Sequence, residues 1–263
     1  MEMSKIFHPE DALIEGGKRA PRPRRAAQAM QVKFVLDFDG VLFNSAFEAY
    51  TVANRAVEGK AGFRDDISYE EFLAYRSVVT DAWQYNRLYS ATSALPASVL
   101  PGFAPEEEDW AFARAFFAAR KEIMADPEWP KIMPAYDFFF LIKPLLLQCP
   151  DRFAILSTRN VASIRETLAF HDADVVPVFG QEDIRRLGSK LAVAQSQHWL
   201  DRGKWMIVYV DDMNSHLEPF EGHIHLPLHA DWGYDSGTPG SLSANQVHRV
   251  LTSLMTIAEK DRP

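Results

Sequence analysis

Five short apolar, β-branched or aromatic runs punctuate the chain and read as strands: "KFVLD" from Lys33, "RFAILS" from Arg152, "DVVPVF" from Asp174, "WMIVYVDD" from Trp205 and "HIHLPL" from His223. Segments of helical length separate the later runs, "NVASIRETLAFHD" and "EDIRRLGSKLAVAQSQHWLDRG", the second closed by Gly203. Strands alternating with helices predict a parallel sheet covered on both faces, an α/β core of Rossmann-like type.

The alternation stops between the first two strands, where roughly a hundred residues intervene and a crossover needs about a dozen. The intervening pattern is helical. "SYEEFLAYRSVVTDAWQYNRLYSAT" opens with Ser68 and Glu71 in capping-box spacing, and "PEEEDWAFARAFFAARKEIMADP" carries acids at its start and cations at its end, as the helix dipole favours. Pro127, Pro130 and Pro134 mark the return to the core, and a helix from Ala135 to Gln148, with Pro144 inside it, leads to the second strand. The expected organisation is an arm over 1–30, a core from 31–43 and 133–263, and a mainly α-helical insert over 44–132.

Composition narrows the setting. The hydrophobic share of 47% over 263 residues suffices for one ample α/β core, or for a core plus a smaller insert. A net charge of -8 disfavours general nucleic-acid binding. Residues 1–30, with six Lys/Arg against four Asp/Glu and no apolar periodicity, read as a flexible basic arm. The most apolar run, "FFFLIKPLLLQC", is broken by Lys143 and Pro144 and falls short of the ~20 residues that a membrane span needs. With Cys149 the sole cysteine, neither an internal disulfide nor a thiolate metal site is expected, and a reducing, cytoplasmic setting follows as the expectation.

In an open parallel sheet, residues at the carboxyl ends of separate strands converge. Here those ends hold Asp37 and Asp39, then Ser157 and Thr158, then Asp211 and Asp212, with Lys190 on the helix before the last pair. Two unit charges ~4 Å apart at an effective dielectric near 20 cost about 4 kcal/mol, so such a pocket repels phosphate unless cations enter it. Lys190 is one; a divalent ion is the other, and oxygen-only donors select Mg²⁺.

These residues carry a resemblance. "DFDGVLFNS", "AILSTRN", "LGSKLAV" and "IVYVDDMNSH" resemble, in order, the four motifs of the haloacid dehalogenase-like superfamily, and "DWGY" at 231 is similar to a loop of its phosphoglycolate-phosphatase-like members. The likeness covers residues 32–43 and about 133–235, and it implies a Rossmann-like core with an inserted, mainly α-helical cap domain, which the insert over 44–132 resembles only in position and composition. It implies Asp37 as a nucleophile forming an aspartyl-phosphate and Asp39 as general acid and base. Ser157, with Thr158 beside it, and Lys190 would bind the phosphoryl group, and Gly40 would permit the turn after the nucleophile. Asp37, the backbone carbonyl of Asp39 and Asp212, with Asp211 beside it, would hold Mg²⁺. Dehalogenases generally lack an aspartate at the position of Asp39, so phosphoryl transfer from a small phosphorylated metabolite is the expected reaction. One departure stands out: many members carry a further acid about four positions after the metal-binding aspartate, where this chain has Met213, Asn214, Ser215 and His216; the paired Asp211 and Asp212 are the candidates to compensate, and either can be the direct metal ligand, with Asp212 preferred.

Other readings attach to the same residues. A phosphomutase acting on a sugar phosphate uses the same intermediate, and a non-catalytic binding module could keep the fold, although intact Asp37 and Asp39 speak against it. Arg185 and Arg186 rival Lys190 as the cation. His223 and His225, on one strand face, read as packing or surface residues rather than ligands. Trp83, Tyr85, Tyr89 and Arg87 read as helix packing before substrate contact, and Cys149 as filler at a helix end.

Overall fold

The computed structural model describes residues 31–201 and 205–260. The arm expected over 1–30 and the helix stop expected at Gly203 lie outside the described residues. The chain enters through β1 (Gln31–Leu36) and then makes α1 (Ser45–Val57), α2 (Tyr69–Arg76), α3 (Asn86–Tyr89) and α4 (Glu107–Ile123). It returns through α5 (Asp137–Gln148) to β2 (Phe153–Leu156), α6 (Val161–Phe170), β3 (Val178–Phe179), α7 (Gln181–Leu187) and α8 (Lys190–Ser196). β4 (Trp205–Asp211), α9 (Asn214–Leu217), β5 (Leu226–His229) and α10 (Ala244–Lys260) complete it. The five strands lie in the order β3-β2-β1-β4-β5, every pair parallel, with Phe34 opposite both Phe153 and Val208.

The two-residue period of a strand divides these side chains between two cores. Phe34, Leu36, Phe153, Ile155, Val208 and Val210 pack on α5, α6 and α10. Val35, Ala154, Leu156, Ile207 and Tyr209 pack on the opposite face against α8, Trp199 and Phe220. This alternation decides where the site lies. The next positions in the second register are Asp37 after β1 and Asp211 at the end of β4, so both carboxylates project on the α8 side.

The insert has its own apolar cluster, built from Val52, Phe72, Tyr85, Tyr89, Phe112 and Phe116 among others and separate from the two sheet cores. Ser68 caps α2 by accepting from Glu71 N at 3.1 Å, but the Glu71 carboxylate accepts from Arg64 Nη1 at 2.7 Å instead of completing the capping box. Trp83, Tyr85, Tyr89 and Arg87 are all buried there, and Arg87 pairs with the buried Asp109 at 2.5 Å.

The structure differs from the sequence reading in four places. The helix expected after Tyr69 ends at Arg76 and resumes as a 3-10 turn (Ala82–Tyr85) leading into α3. The long helix expected from Glu182 is cut at Gly188, whose left-handed φ of 99° closes α7, and Ser189 then caps α8 by accepting from Ala192 N at 3.1 Å. The strand expected from Asp174 pairs only at Val178 and Phe179. The strand expected from His223 begins at Leu226, so His223 and His225 precede it, both exposed, and His225 Nδ1 accepts from Ile207 N at 3.1 Å.

Candidate active site

The crevice at the carboxyl ends of β1 and β4, where the strand order reverses, collects the acidic residues. Asp37 N continues the ladder by donating to Val210 O at 2.9 Å, which fixes the first carboxylate beside β4. The break at Gly188 makes Lys190 the first residue of α8 instead of a mid-helix surface cation, and its ammonium is buried within the site. Lys190 Nζ lies 3.2 Å from Asp37 Oδ1 and donates to Asp211 Oδ2 at 2.9 Å and to Tyr209 OH at 3.1 Å. Tyr209 OH donates to the same Asp211 oxygen at 2.6 Å, while His216 Nδ1 and Met213 N stand 3.1 and 3.0 Å from the other.

Asp211 is therefore fully engaged. Although burial opposes its charge, Lys190 and His216 hold it well below the usual carboxylate range. Lys190 is held charged in return: burial disfavours the ammonium, but Asp211 and Asp37 outweigh it and raise it to about 12. Burial pushes Asp37 up to about 6 against the pull of Lys190.

Asp212 behaves differently. Its Oδ2 accepts from Tyr234 N at 2.7 Å. Gly40 and Gly233 close around it so tightly that a Cβ on Gly40 would meet Asp212 Oδ2 at 2.0 Å and one on Gly233 would meet Asp212 Cβ at 2.3 Å. Gly40 also sits at φ +79°, a conformation that side chains rarely adopt. Burial, with the charges of Asp211 and Asp37, pushes the Asp212 carboxyl well above its usual range.

Among the described residues, Asp212 Oδ1 is buried without a hydrogen-bond partner, and Asp37 Oδ1 has only the Lys190 ammonium at 3.2 Å beside it. Such an oxygen is costly unless something satisfies it, and the one ammonium touches Asp37 and Asp211 but not the third buried carboxylate, Asp212. An oxygen-binding divalent cation fits that deficit. Asp37, Asp211 and His216 also bring ligand atoms within 4.8 Å of one another, but Lys190 and Tyr209 already fill that cluster with donors.

The general acid/base candidate, Asp39, lies in the turn after β1 and faces a cavity of about 360 Å³ lined also by Arg76, Tyr85, Phe116, Thr158 and Arg185. Arg159 Nε donates to Asp39 Oδ1 at 2.8 Å, and although burial opposes the charge, this guanidinium holds Asp39 below its usual range. Ser157, at the end of β2, is wholly buried and accepts from Arg159 N at 3.3 Å, whereas Thr158 is exposed at the cavity. Arg186 pairs with Asp183 at 2.9 Å, and it is Lys190, not Arg185 or Arg186, that meets Asp37. Cys149 is half-buried at the end of α5.

Sequence reasoning missed Tyr209, Arg159 and Glu48. Tyr209 carried a signal, because two residues before Asp211 on a strand is the same face. Arg159 sits inside "AILSTRN" but nothing in its spacing marks a partner, and Glu48 is one polar residue on an amphipathic helix. His216, at the position where the resemblance lacks an acid, bonds Asp211.

No described helix is long and apolar enough to cross a membrane. No protein-family model and no curated protein matches the chain. Solved structures do match. A predicted phosphoglycolate phosphatase from Haemophilus somnus 129PT aligns at TM-score 0.59 and 12% identity, over 84% of this chain and 98% of that one. A predicted phosphatase from Clostridium acetobutylicum aligns at 0.56 and 11%, over 85% and 99%. A haloacid dehalogenase-like hydrolase from Streptococcus pneumoniae aligns at 0.54 and 10%, over 84% and 98%. At these identities the likeness is one of architecture, and it gives the chain the fold of the haloacid dehalogenase-like hydrolases: a Rossmann-like parallel core with an inserted helical cap.

Proposed function

We propose that this chain is a Mg²⁺-dependent phosphomonoester hydrolase acting on a small phosphorylated metabolite through an aspartyl-phosphate on Asp37. The observation that carries the reading is the meeting of Asp37 with Lys190 at 3.2 Å, beside the orphaned Asp212 oxygen, at the switch point of the sheet. The similar solved structures described as phosphatases support the reaction class.

In the first half-reaction, entered with Asp39 in its carboxylic-acid form, an Asp37 oxygen attacks phosphorus, the ester P–O bond breaks, and the leaving oxygen takes the proton from Asp39, leaving the carboxylate that Arg159 pairs. In the second, Asp39 takes a proton from water, whose oxygen attacks phosphorus, and breakage of the acyl-phosphate bond returns Asp37 and inorganic phosphate. Lys190 offsets charge on the phosphoryl oxygens, and Ser157 with Thr158 supplies hydroxyl donors. Asp211 keeps Lys190 charged and aimed. Asp37, the carbonyl of Asp39 and Asp212 would hold Mg²⁺, which when bound neutralises phosphoryl charge.

Residues 44–132 form the cap, which closes over the site and sets selectivity, with the core over 31–43 and 133–263. The 360 Å³ cavity suits a small substrate. The single cysteine fits a cytoplasmic setting, and the net charge of -8 fits neither a nucleic-acid nor a membrane partner. A panel of phosphate esters with Mg²⁺ or with chelator tests the proposal. Mg²⁺-dependent phosphate release is expected; no release from any ester overturns it.

A further inference from the structure

Asp39 is gripped from a side that the motifs around it do not explain. Arg159 spans two carboxylates, donating through Nε to Asp39 Oδ1 at 2.8 Å and through Nη2 to Glu48 Oε2 at 2.5 Å. Glu48 Oε1 in turn accepts from Arg120 Nε at 2.9 Å. Three parts of the chain meet here: Glu48 is on α1 and Arg120 on α4 of the insert, whereas Arg159 follows β2 of the core. The side chain of Glu48 is 4% exposed and that of Arg159 9%, against 16% for Asp39, which also lines the cavity.

Burying this many charges is expensive, and apolar residues of similar volume would stabilise the fold at least as well. What the chain of ion pairs adds is direction. A guanidinium is a planar fork, so two carboxylates bonded to different edges of it lose their freedom to swing.

Resting on the phosphatase reading, we propose that Arg159 and Glu48 are positioning residues for Asp39. Arg159 clamps Oδ1 and leaves Oδ2 for the proton transfers, and Glu48, anchored by Arg120, fixes Arg159. When Asp39 gives its proton to the leaving oxygen, the carboxylate that forms is already paired with Arg159. When it takes a proton from water, the same contact keeps its free oxygen in place. The first helix of the insert thus orients the acid/base residue as well as covering the site.

The test exploits leaving-group demand. An aryl ester with an acidic phenol, p-nitrophenyl phosphate, departs without a proton; an alkyl phosphate does not. Since kcat/KM reports transition-state stabilisation relative to free enzyme and substrate, its ratio between the alkyl and the aryl ester isolates proton donation. A positioned acid is worth about 10²–10⁴, so Asp39→Asn should lose at least about a hundredfold on the alkyl ester and far less on the aryl ester. Arg159→Met and Glu48→Gln should show the same bias, on the order of 10–100-fold against under fivefold, with partial recovery in Arg159→Lys. Adding Glu48→Gln to Asp39→Asn should cost nothing more on the alkyl ester.

Equal losses on both esters, a gain on the alkyl ester, or full additivity in the double variant would overturn the positioning role while leaving the phosphatase reading intact. Wild-type protein that cleaves neither ester overturns both. Glu48→Gln preserves volume, and thermal melts identify any variant that has lost its fold.

Discussion

The Lys190 ammonium, at the start of α8, stands 3.2 Å from the Asp37 carboxylate at the end of β1. Two local features produce this contact. Strand parity turns Asp37 to the α8 face, and the Gly188 break delivers Lys190 at a helix start rather than on a helix flank. The same ammonium bonds Asp211, so one buried cation holds two buried carboxylates.

Removing that cation exposes the cost of the arrangement. Breaking a buried ion pair from one side costs about 3–5 kcal/mol, so Lys190→Met should lower unfolding free energy by that order in urea titrations and reduce kcat at least about a hundredfold. Adding Asp211→Asn should restore part of the stability and none of the activity, because one buried charge is then removed along with its partner.

Asp212 is held by the absence of side chains around it. Gly233→Ala would drive a methyl group to 2.3 Å from Asp212 Cβ. Overpacking of this kind costs typically 1–3 kcal/mol, and a displaced Asp212 should raise the Mg²⁺ concentration needed for half-maximal hydrolysis. Gly40→Ala should be worse, since it adds a left-handed φ of +79° to the clash with the Asp212 carboxylate. Thermal melts and Mg²⁺ titrations of both variants check this.

Asp211, which ends β4, and Asp212, which follows it, should separate on metal addition. Mg²⁺ should raise the melting temperature of wild-type protein, as any ligand selective for the native state does. Asp212→Asn should abolish the rise. Asp211→Asn, which removes the partner of Lys190 and Tyr209, should lower the melting temperature yet keep most of the Mg²⁺ response. The opposite pattern would move the metal to Asp211.

Far from the site, Lys33 provides a pH dependence with a definite sign. Its ammonium donates to Asp151 O and Phe153 O at 2.9 and 3.0 Å, and burial lowers it from 10.5 to about 8. The unfolded chain binds more protons than the native one between those values, so this group makes stability rise as pH increases from about 8 to 10.5. Lys33→Met should flatten that rise in urea titrations at pH 7, 8.5 and 10, whereas an unchanged slope would show that another group causes it.

Much of this was readable in the sequence, for identifiable reasons. All five strands carry dense apolar runs, and Asp37, Asp39, Ser157, Asp211 and Asp212 close or follow strands whose carboxyl ends converge in a parallel sheet, whereas Lys190 was legible only as a residue of the helix before the last pair. The Gly188 break was overlooked because "RRLGSKLAV" is helical in pattern on both sides, and only the left-handed glycine with a serine cap interrupts it. The Asp39–Arg159–Glu48 chain was invisible because its members lie on three elements that no periodicity relates.

The most direct test of Asp37 as the phosphoryl acceptor is acid quenching of the protein during turnover of a ³²P-labelled ester. Label should stay with wild-type protein, be released by hydroxylamine as an acyl phosphate is, and be absent from Asp37→Asn, which should also release no phosphate. Turnover by Asp37→Asn at the wild-type rate, or label that resists hydroxylamine, would contradict the account.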